Sequence, residues 1–156
     1  MPILNETITV ESLNADVQKT FIGAQITKKR LSSGFLLYKF TDRPLVTPTG
    51  GISPWWSAVE PIVPGDTGLS ELLERAKRLG VLPATFARAR SAVTKQWNSM
   101  ENLLIIRLQV PAFGFVGRCS SQRIDDDSPH LQNVVFIGGA WQVFLPNLEP
   151  QQVVRV

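Results

Sequence analysis

Few side chains in this sequence could do chemistry by themselves. Cys119 and His130 are its only cysteine and its only histidine, and a thiol needs a nearby base to become a good nucleophile. Their separation along the chain does not give their distance in space, so a buried Cys119 and a surface His130 are the favoured interpretation. Residues 125–127 are consecutive aspartates that lack the spacing of a calcium-binding loop. They favour a solvated acidic loop over a metal site.

The common nucleotide-binding and metal-binding motifs are absent from the sequence. There is no GxxxxGK[ST], no GxGxxG, no HExxH and no GxSxG. A single histidine cannot build a multi-histidine zinc site, and a single cysteine can form neither a thiolate cage nor an internal disulfide. These absences argue against most ATPases, Rossmann oxidoreductases and zinc hydrolases. We expect no resident metal and no obligatory cofactor.

Two adjacent tryptophans favour a binding role. Trp55 and Trp56 lie within residues 41–67, a stretch rich in proline and glycine. Tryptophan is over-represented where binding energy concentrates, and a large ring on a loop must find cover. We expect a long loop over 41–67 in which one ring binds a protein partner and the other packs.

Basic residues gather between positions 75 and 100, a stretch without aspartate or glutamate. The set includes four arginines: Arg75, Arg78, Arg88 and Arg90. They could meet phosphates or an acidic partner, or they could be the solvated sides of two amphipathic helices. The second interpretation is favoured, since aromatic residues do not alternate with the basic ones.

The elements that position these residues follow from hydrophobic periodicity. A helix is predicted between Thr67 and Gly80, and a second helix is predicted from Pro83. Strands are predicted at residues 7–10, 25–27, 34–40, 103–110, 113–119, 134–137, 140–145 and 153–156. Gly138 and Gly139 predict a hairpin. The fold class is therefore α+β, with two central helices on one face of a largely antiparallel sheet.

The 156 residues are expected to form a single domain with a formal net charge of +3. The first residues lack a basic segment followed by an apolar one, and no apolar stretch is long enough to cross a membrane. We therefore expect a cytoplasmic protein, with export by a route that needs no cleavable signal left open.

Three segments resemble small bacterial ADP-ribosyltransferase and NADase toxin domains. Residues 37–40 are similar to the first strand of that family, in which an aromatic residue precedes arginine. Residues 119–122 resemble its serine-rich strand, and residues 141–146 resemble the strand that follows the catalytic glutamate and ends in proline. Together these three segments contain 14 of the 156 residues.

The resemblance implies an NAD-cleaving transferase with NAD as its substrate. The site residues it implies are Tyr38, Lys39, Ser120 and Gln142. Lys39 stands at the family's arginine and Gln142 at its glutamate, and glutamine cannot supply a negative charge to the transition state. The resemblance therefore implies either a catalytically degenerate relative or a carboxylate supplied by Glu149 or Glu60.

Three function classes remain open from the sequence. The favoured one is a protein-interaction domain of bacterial accessory or effector type, which binds its partner through the aromatic, proline-rich loop. The second is the NAD-cleaving domain, which predicts a cleft lined by the four implied residues. The third is a nucleic-acid-binding protein, which requires the basic residues of both helices to share one exposed face.

Overall fold

The computed structural model describes residues 3–41, 44–80, 83, 102–119, 122–123, 135–136 and 140–156. Within these ranges the helices are α1 Ala15–Thr20 and α2 Gly68–Leu79. The strands are β1 Thr27–Leu31, β2 Leu36–Thr41, β3 Trp55–Ala58, β4 Asn102–Leu108, β5 Ala112–Arg118, β6 Gln122–Arg123, β7 Val135–Phe136, β8 Trp141–Phe144 and β9 Val153–Arg155.

Seven of the described strands form one sheet in the order β1-β5-β8-β3-β2-β4-β9. Each pair of neighbours in it is antiparallel. The strands β6 and β7 pair with each other in a separate ladder. With two helices against an antiparallel sheet, the structure confirms the predicted α+β class.

Capping residues within the sequence of each helix determine where that helix begins or ends. The Asn14 side chain accepts a hydrogen bond from the Asp16 amide and so caps α1. Helix α2 ends at Gly80, which has the left-handed φ of 69° that favours glycine. The helix predicted between Thr67 and Gly80 is confirmed. The second predicted helix, from Pro83, lies outside the described residues beyond its first position.

Alternation along the strands gives the sheet two different faces. On the helix face, Leu69 and Leu72 of α2 pack on Tyr38 and Phe40. Also on the helix face, a second cluster joins Phe21 to residues of β5 and β8, with Val17 of α1 packed against it. On the loop face, one larger core draws side chains from all seven strands of the sheet, and Ile52 and Ile62 from the connecting segments belong to it.

The structure corrects the predicted loop over residues 41–67. Strand β3 lies within this stretch and pairs with β2 on one side and with β8 on the other. Proline is rare inside central strands, but Pro54 and Pro61 flank β3 and leave its four residues free to pair. Trp55 and Trp56 therefore stand on a strand at the centre of the sheet.

Two further predictions differ from the structure. The strand predicted at residues 7–10 is wrong, because Thr9 and Ser12 cap each other around a 3-10 turn at Val10–Ser12. The edge strand predicted at 25–27 begins instead at Thr27. The hairpin predicted at Gly138 and Gly139 lies outside the described residues; among the described strands β7 pairs with β6, and β8 pairs with β5 and β3. No helix in the described ranges is long and apolar enough to cross a membrane.

Candidate functional site

Three polar side chains project from adjacent strands at the centre of the helix face. Tyr38 of β2 lies opposite Ser57 of β3 in the ladder. Ser57 in turn contacts Gln142 of β8, whose Nε2 donates a hydrogen bond of 3.0 Å to the Ser57 Oγ. Side chains directly opposite each other in a ladder share a face. We call Tyr38, Ser57 and Gln142 the polar row.

The polar row occupies a position that usually carries apolar residues. Strands β3 and β8 have neighbours on both sides, so their inward-facing side chains would normally join the core. Here Ser57 and Gln142 are only partly buried, while Tyr38 is 6% exposed. Partly accessible polar groups at the middle of a sheet make this row a candidate ligand-binding surface, which we refer to as the cleft.

Aromatic and apolar walls border the polar row on two sides. One wall is Trp55, which is partly buried and whose ring centre lies 5.6 Å from that of Phe21 and 4.8 Å from that of Phe144. At the β2 end of the row lies the α2 cluster, which consists of Leu69, Leu72, Tyr38 and Phe40. Its Tyr38 and Phe40 rings meet edge to face with their centres 6.1 Å apart. A planar ligand laid along the row would therefore meet ring surfaces as well as hydrogen-bonding groups.

Gly117 closes one end of the polar row. It lies opposite Gln142 on β5, and a Cβ there would come within 2.5 Å of the Phe21 ring and 2.6 Å of the Gln25 carbonyl oxygen. Only glycine lets that ring and carbonyl approach the strand so closely. Phe21 thus covers the sheet beyond Gln142 and limits the cleft to β2, β3 and β8.

The polar row offers hydrogen bonding without charge. Ser57 accepts the Gln142 amide hydrogen, and its own hydroxyl hydrogen has no acceptor among the described residues. Glu149 and Glu60 are both exposed and stand outside the three strands of the row; the Glu149 carboxylate accepts a hydrogen bond from Gln151. The row can therefore orient hydroxyl and amide groups of a ligand, but it carries no carboxylate of its own.

Lys39 does not line this cleft, which corrects the predicted four-residue site. Successive strand residues point to opposite faces, so Lys39 points to the loop face while Tyr38 points to the helix face. Its amine lies 4.0 Å from the centre of the Trp56 ring. Burial lowers the pKa of Lys39 to about 8. Of the other implied residues, Tyr38 and Gln142 share the polar row, and Ser120 lies outside the described residues.

The binding residues predicted from the sequence are dispersed. Trp56 is 1% exposed, so it cannot anchor a partner, and its indole N–H donates to the Ser53 carbonyl oxygen. Arg75 of α2 forms an ion pair with Glu71, and Arg78 lies in the last turn of that helix. Two arginines of the predicted binding set, Arg88 and Arg90, lie outside the described residues.

The structure brings no nucleophile and base together in the ranges it describes. Cys119 is 2% exposed, and burial raises the pKa of its thiol to about 12. A thiol in that state is a poor nucleophile. His130 and the aspartates at 125–127 lie outside the described residues. In the part of the chain that the structure describes, no group of three or more histidine, cysteine, aspartate or glutamate residues could hold a metal ion.

Comparisons with known proteins inform the fold. No family model matches the chain, and no curated protein matches it. Among solved structures, a chain of "Rhs1-CT in complex with cognate immunity protein RhsI1" is similar, with a TM-score of 0.50 and 14% sequence identity. The similarity covers 84% of this chain and 76% of that chain. At this identity the likeness shows a shared fold.

Proposed function

We propose that this chain is an effector-type domain that binds NAD over the polar row and hydrolyses its nicotinamide–ribose bond. The observation that carries the proposal is the convergence of Tyr38, Ser57 and Gln142 on one face of three adjacent strands. Tyr38 and Gln142 come from the two segments that resemble the family's first and last strands. The fold places them in one row although they stand far apart in the chain.

The lack of a carboxylate is compatible with cleavage of this particular bond. The nicotinamide nitrogen of NAD carries a positive charge, so the electron pair of the breaking bond returns to that nitrogen and nicotinamide leaves neutral without needing a proton. Water adds to the ribose carbon and releases one proton to solvent, which completes the balance. The site must therefore hold the ribose and align a water, and oriented dipoles can do both.

The residues of the cleft have separate roles in this proposal. Gln142 and Ser57 supply donors and acceptors for the ribose hydroxyls, and their mutual hydrogen bond fixes their orientation. Trp55 supplies a ring face for the nicotinamide or adenine ring, since planar bases stack on aromatic side chains. Leu69 and Leu72 of the α2 cluster pack with the Tyr38 ring and hold it in place.

Nicotinamide release from NAD by the purified chain tests the proposal. We expect Gln142→Ala to lower the rate by about 100-fold or more, which is the usual effect of losing one oriented transition-state contact. Gln109→Ala removes an exposed glutamine outside the polar row, and we expect it to leave the rate unchanged. A thermal-shift titration with NAD measures binding in the same samples. No release and no shift at millimolar NAD would exclude the function, whereas a shift without release would retain binding and exclude cleavage.

A dedicated protein partner is a second candidate function, and one observation favours it. The structure with the similar chain holds Rhs1-CT together with its cognate immunity protein, so either chain of that complex has a protein partner. We infer that the present fold serves in such a pair. Trp55 is the one member of the predicted anchor that remains partly exposed. Affinity capture on the immobilised chain tests this candidate. We expect the wild-type chain to retain one protein and the Trp55→Ala chain to lose it. A 1:1 complex formed from the purified pair would support the candidate.

A further inference from the structure

A second candidate site is a cavity at the ends of two neighbouring strands, where β2 ends and β4 begins. Thr41 and Asn102 are paired there at the ends of their strands, and they line a cavity of about 220 Å³. The other lining residues are Pro44, Leu45, Leu103, Leu104 and Arg155. Thr41 is three residues beyond Tyr38, roughly 10 Å along the strand. The cavity is therefore separate from the polar row.

Among the described residues that line this cavity, one carries a charge, and that charge is positive. Arg155 lines it from the edge strand β9, and in the part of the chain that the structure describes this guanidinium has no ion pair with a carboxylate. Lys39 lies two residues before Thr41 on the same face of β2, but its amine is directed to the Trp56 ring on β3 and does not line the cavity. Among the described residues that line the cavity, none carries a carboxylate.

The volume of the cavity and its hydrogen-bond donors indicate the class of ligand that it could bind. A volume of about 220 Å³ falls below the roughly 300 Å³ at which pockets for drug-sized molecules begin. An arginine fork gives paired N–H donors to oxyanions, and the Asn102 amide adds two more donors at the rim. We propose that this cavity binds a small oxyanion of the phosphate class, with Arg155 as the main contact and Asn102 beside it.

A titration with inorganic phosphate tests this site. The melting temperature of the intact chain is followed in phosphate and in sodium chloride at matched ionic strength. We expect phosphate to raise it by a few degrees at ten times the dissociation constant. Glycerol 3-phosphate is the second probe, because it distinguishes a free phosphate from the phosphate group of a larger molecule. Saturable binding of either probe supports the site.

Two substitutions test whether phosphate binds in this cavity. Arg155→Gln removes the guanidinium charge and keeps a polar side chain at an exposed edge position, and we expect it to weaken phosphate binding about tenfold or more. The control is Arg118→Gln, which removes an exposed arginine that lies over the Trp141 ring on β8. Phosphate stabilisation that is equal in Arg155→Gln and wild type overturns the proposal, as does stabilisation no greater than that of sodium chloride.

The same variant separates this site from the proposed NAD cleft. Arg155 lies on β9, three strands away from β3 in the order of the sheet. We therefore expect Arg155→Gln to release nicotinamide at the wild-type rate while it loses phosphate binding. The failure of one proposal would thus leave the other unaffected.

Discussion

Lys39 is a charged residue that its surroundings solvate poorly. Its amine faces the Trp56 ring, and burial lowers its pKa from 10.5 to about 8. Below pH 8 the amine is charged in both the folded and the unfolded chain, so the full cost of burying the charge is present at neutral pH. Between about 8 and 10.5 the unfolded chain binds more protons, and stability therefore rises with pH across that window.

We expect Lys39→Met to raise the free energy of unfolding at pH 7. Methionine keeps the length of the side chain and removes the charge, and the gain should be about 1–3 kcal/mol once the lost contact with the Trp56 ring is subtracted. Urea unfolding of both chains at pH 7 and at pH 10.5 measures this difference, which should shrink as the pH rises.

Cys119 changes the pH dependence of stability in the opposite direction to Lys39. Its contribution must cancel when the Lys39→Met chain is compared with the wild type. Its raised pKa lets the unfolded chain lose a proton first, so stability falls with pH between about 9 and 12. Because both chains keep Cys119, only the difference between them reports on Lys39. A difference that stays constant across the pH range would show that the amine is solvated in the folded chain.

The polar row shows which single residues a sequence can and cannot reveal. The sequence proposes Tyr38 and Gln142 through a family resemblance, and the structure shows that they lie on one face of the sheet, while their role stays a prediction. Ser57 was missed, since its place depends on strand register and on a partner 85 positions away along the chain. The error at Lys39 was avoidable: neighbouring residues of one strand face opposite sides, so Tyr38 and Lys39 could not both line one cleft.

At the scale of elements, local patterns predicted α2 and non-local pairing decided β3. Helix α2 has its apolar residues at helical spacing and its own terminal glycine, so its limits depend on nearby residues alone. Strand β3 has four residues between proline-rich segments, and partners from two distant strands hold it in place. Its existence depends on contacts that one short segment does not encode.

Strand β3 carries its two tryptophans to opposite faces, so their substitution should have different effects. Trp56 is 1% exposed, and we expect Trp56→Ala to lower the free energy of unfolding by about 3–5 kcal/mol. Trp55 is partly buried beside Phe21 and Phe144, so Trp55→Ala should cost about 1–2 kcal/mol and also weaken NAD binding. Urea unfolding compares the two variants, and equal losses of stability would contradict this assignment of the faces.

At the scale of the whole molecule, the sheet consists of two halves joined through a short ladder. The first half contains β1, β5, β8 and β3, and the second contains β2, β4 and β9. Two residue pairs are registered between β2 and β3, as few as between β3 and β8. A junction this short, with hydrogen bonds contributing about 1 kcal/mol each, could not by itself make the halves unfold together.

The loop-face core supplies the missing coupling. It includes Leu37 and Ile106 from the second half together with Val116 and Val143 from the first. Each buried aliphatic side chain of this kind contributes about 1.5–3 kcal/mol, so the shared core outweighs the ladder. Opening one half would expose the apolar side chains of the other, and the cost of exposing them joins both halves in one cooperative unit.

Native-state hydrogen exchange tests this cooperativity. We expect the slowest amides of β2 and β4 to exchange with the same free energy as those of β5 and β8, equal to the free energy of global unfolding, and with the same dependence on urea. Strand β9 is at an edge and Val154 is 45% exposed, so its amides should exchange through local fraying at lower free energy. Two separate plateaus for the two halves would show that the β2–β3 ladder, and not the core, limits cooperativity; the polar row would then span a boundary that opens in the native state.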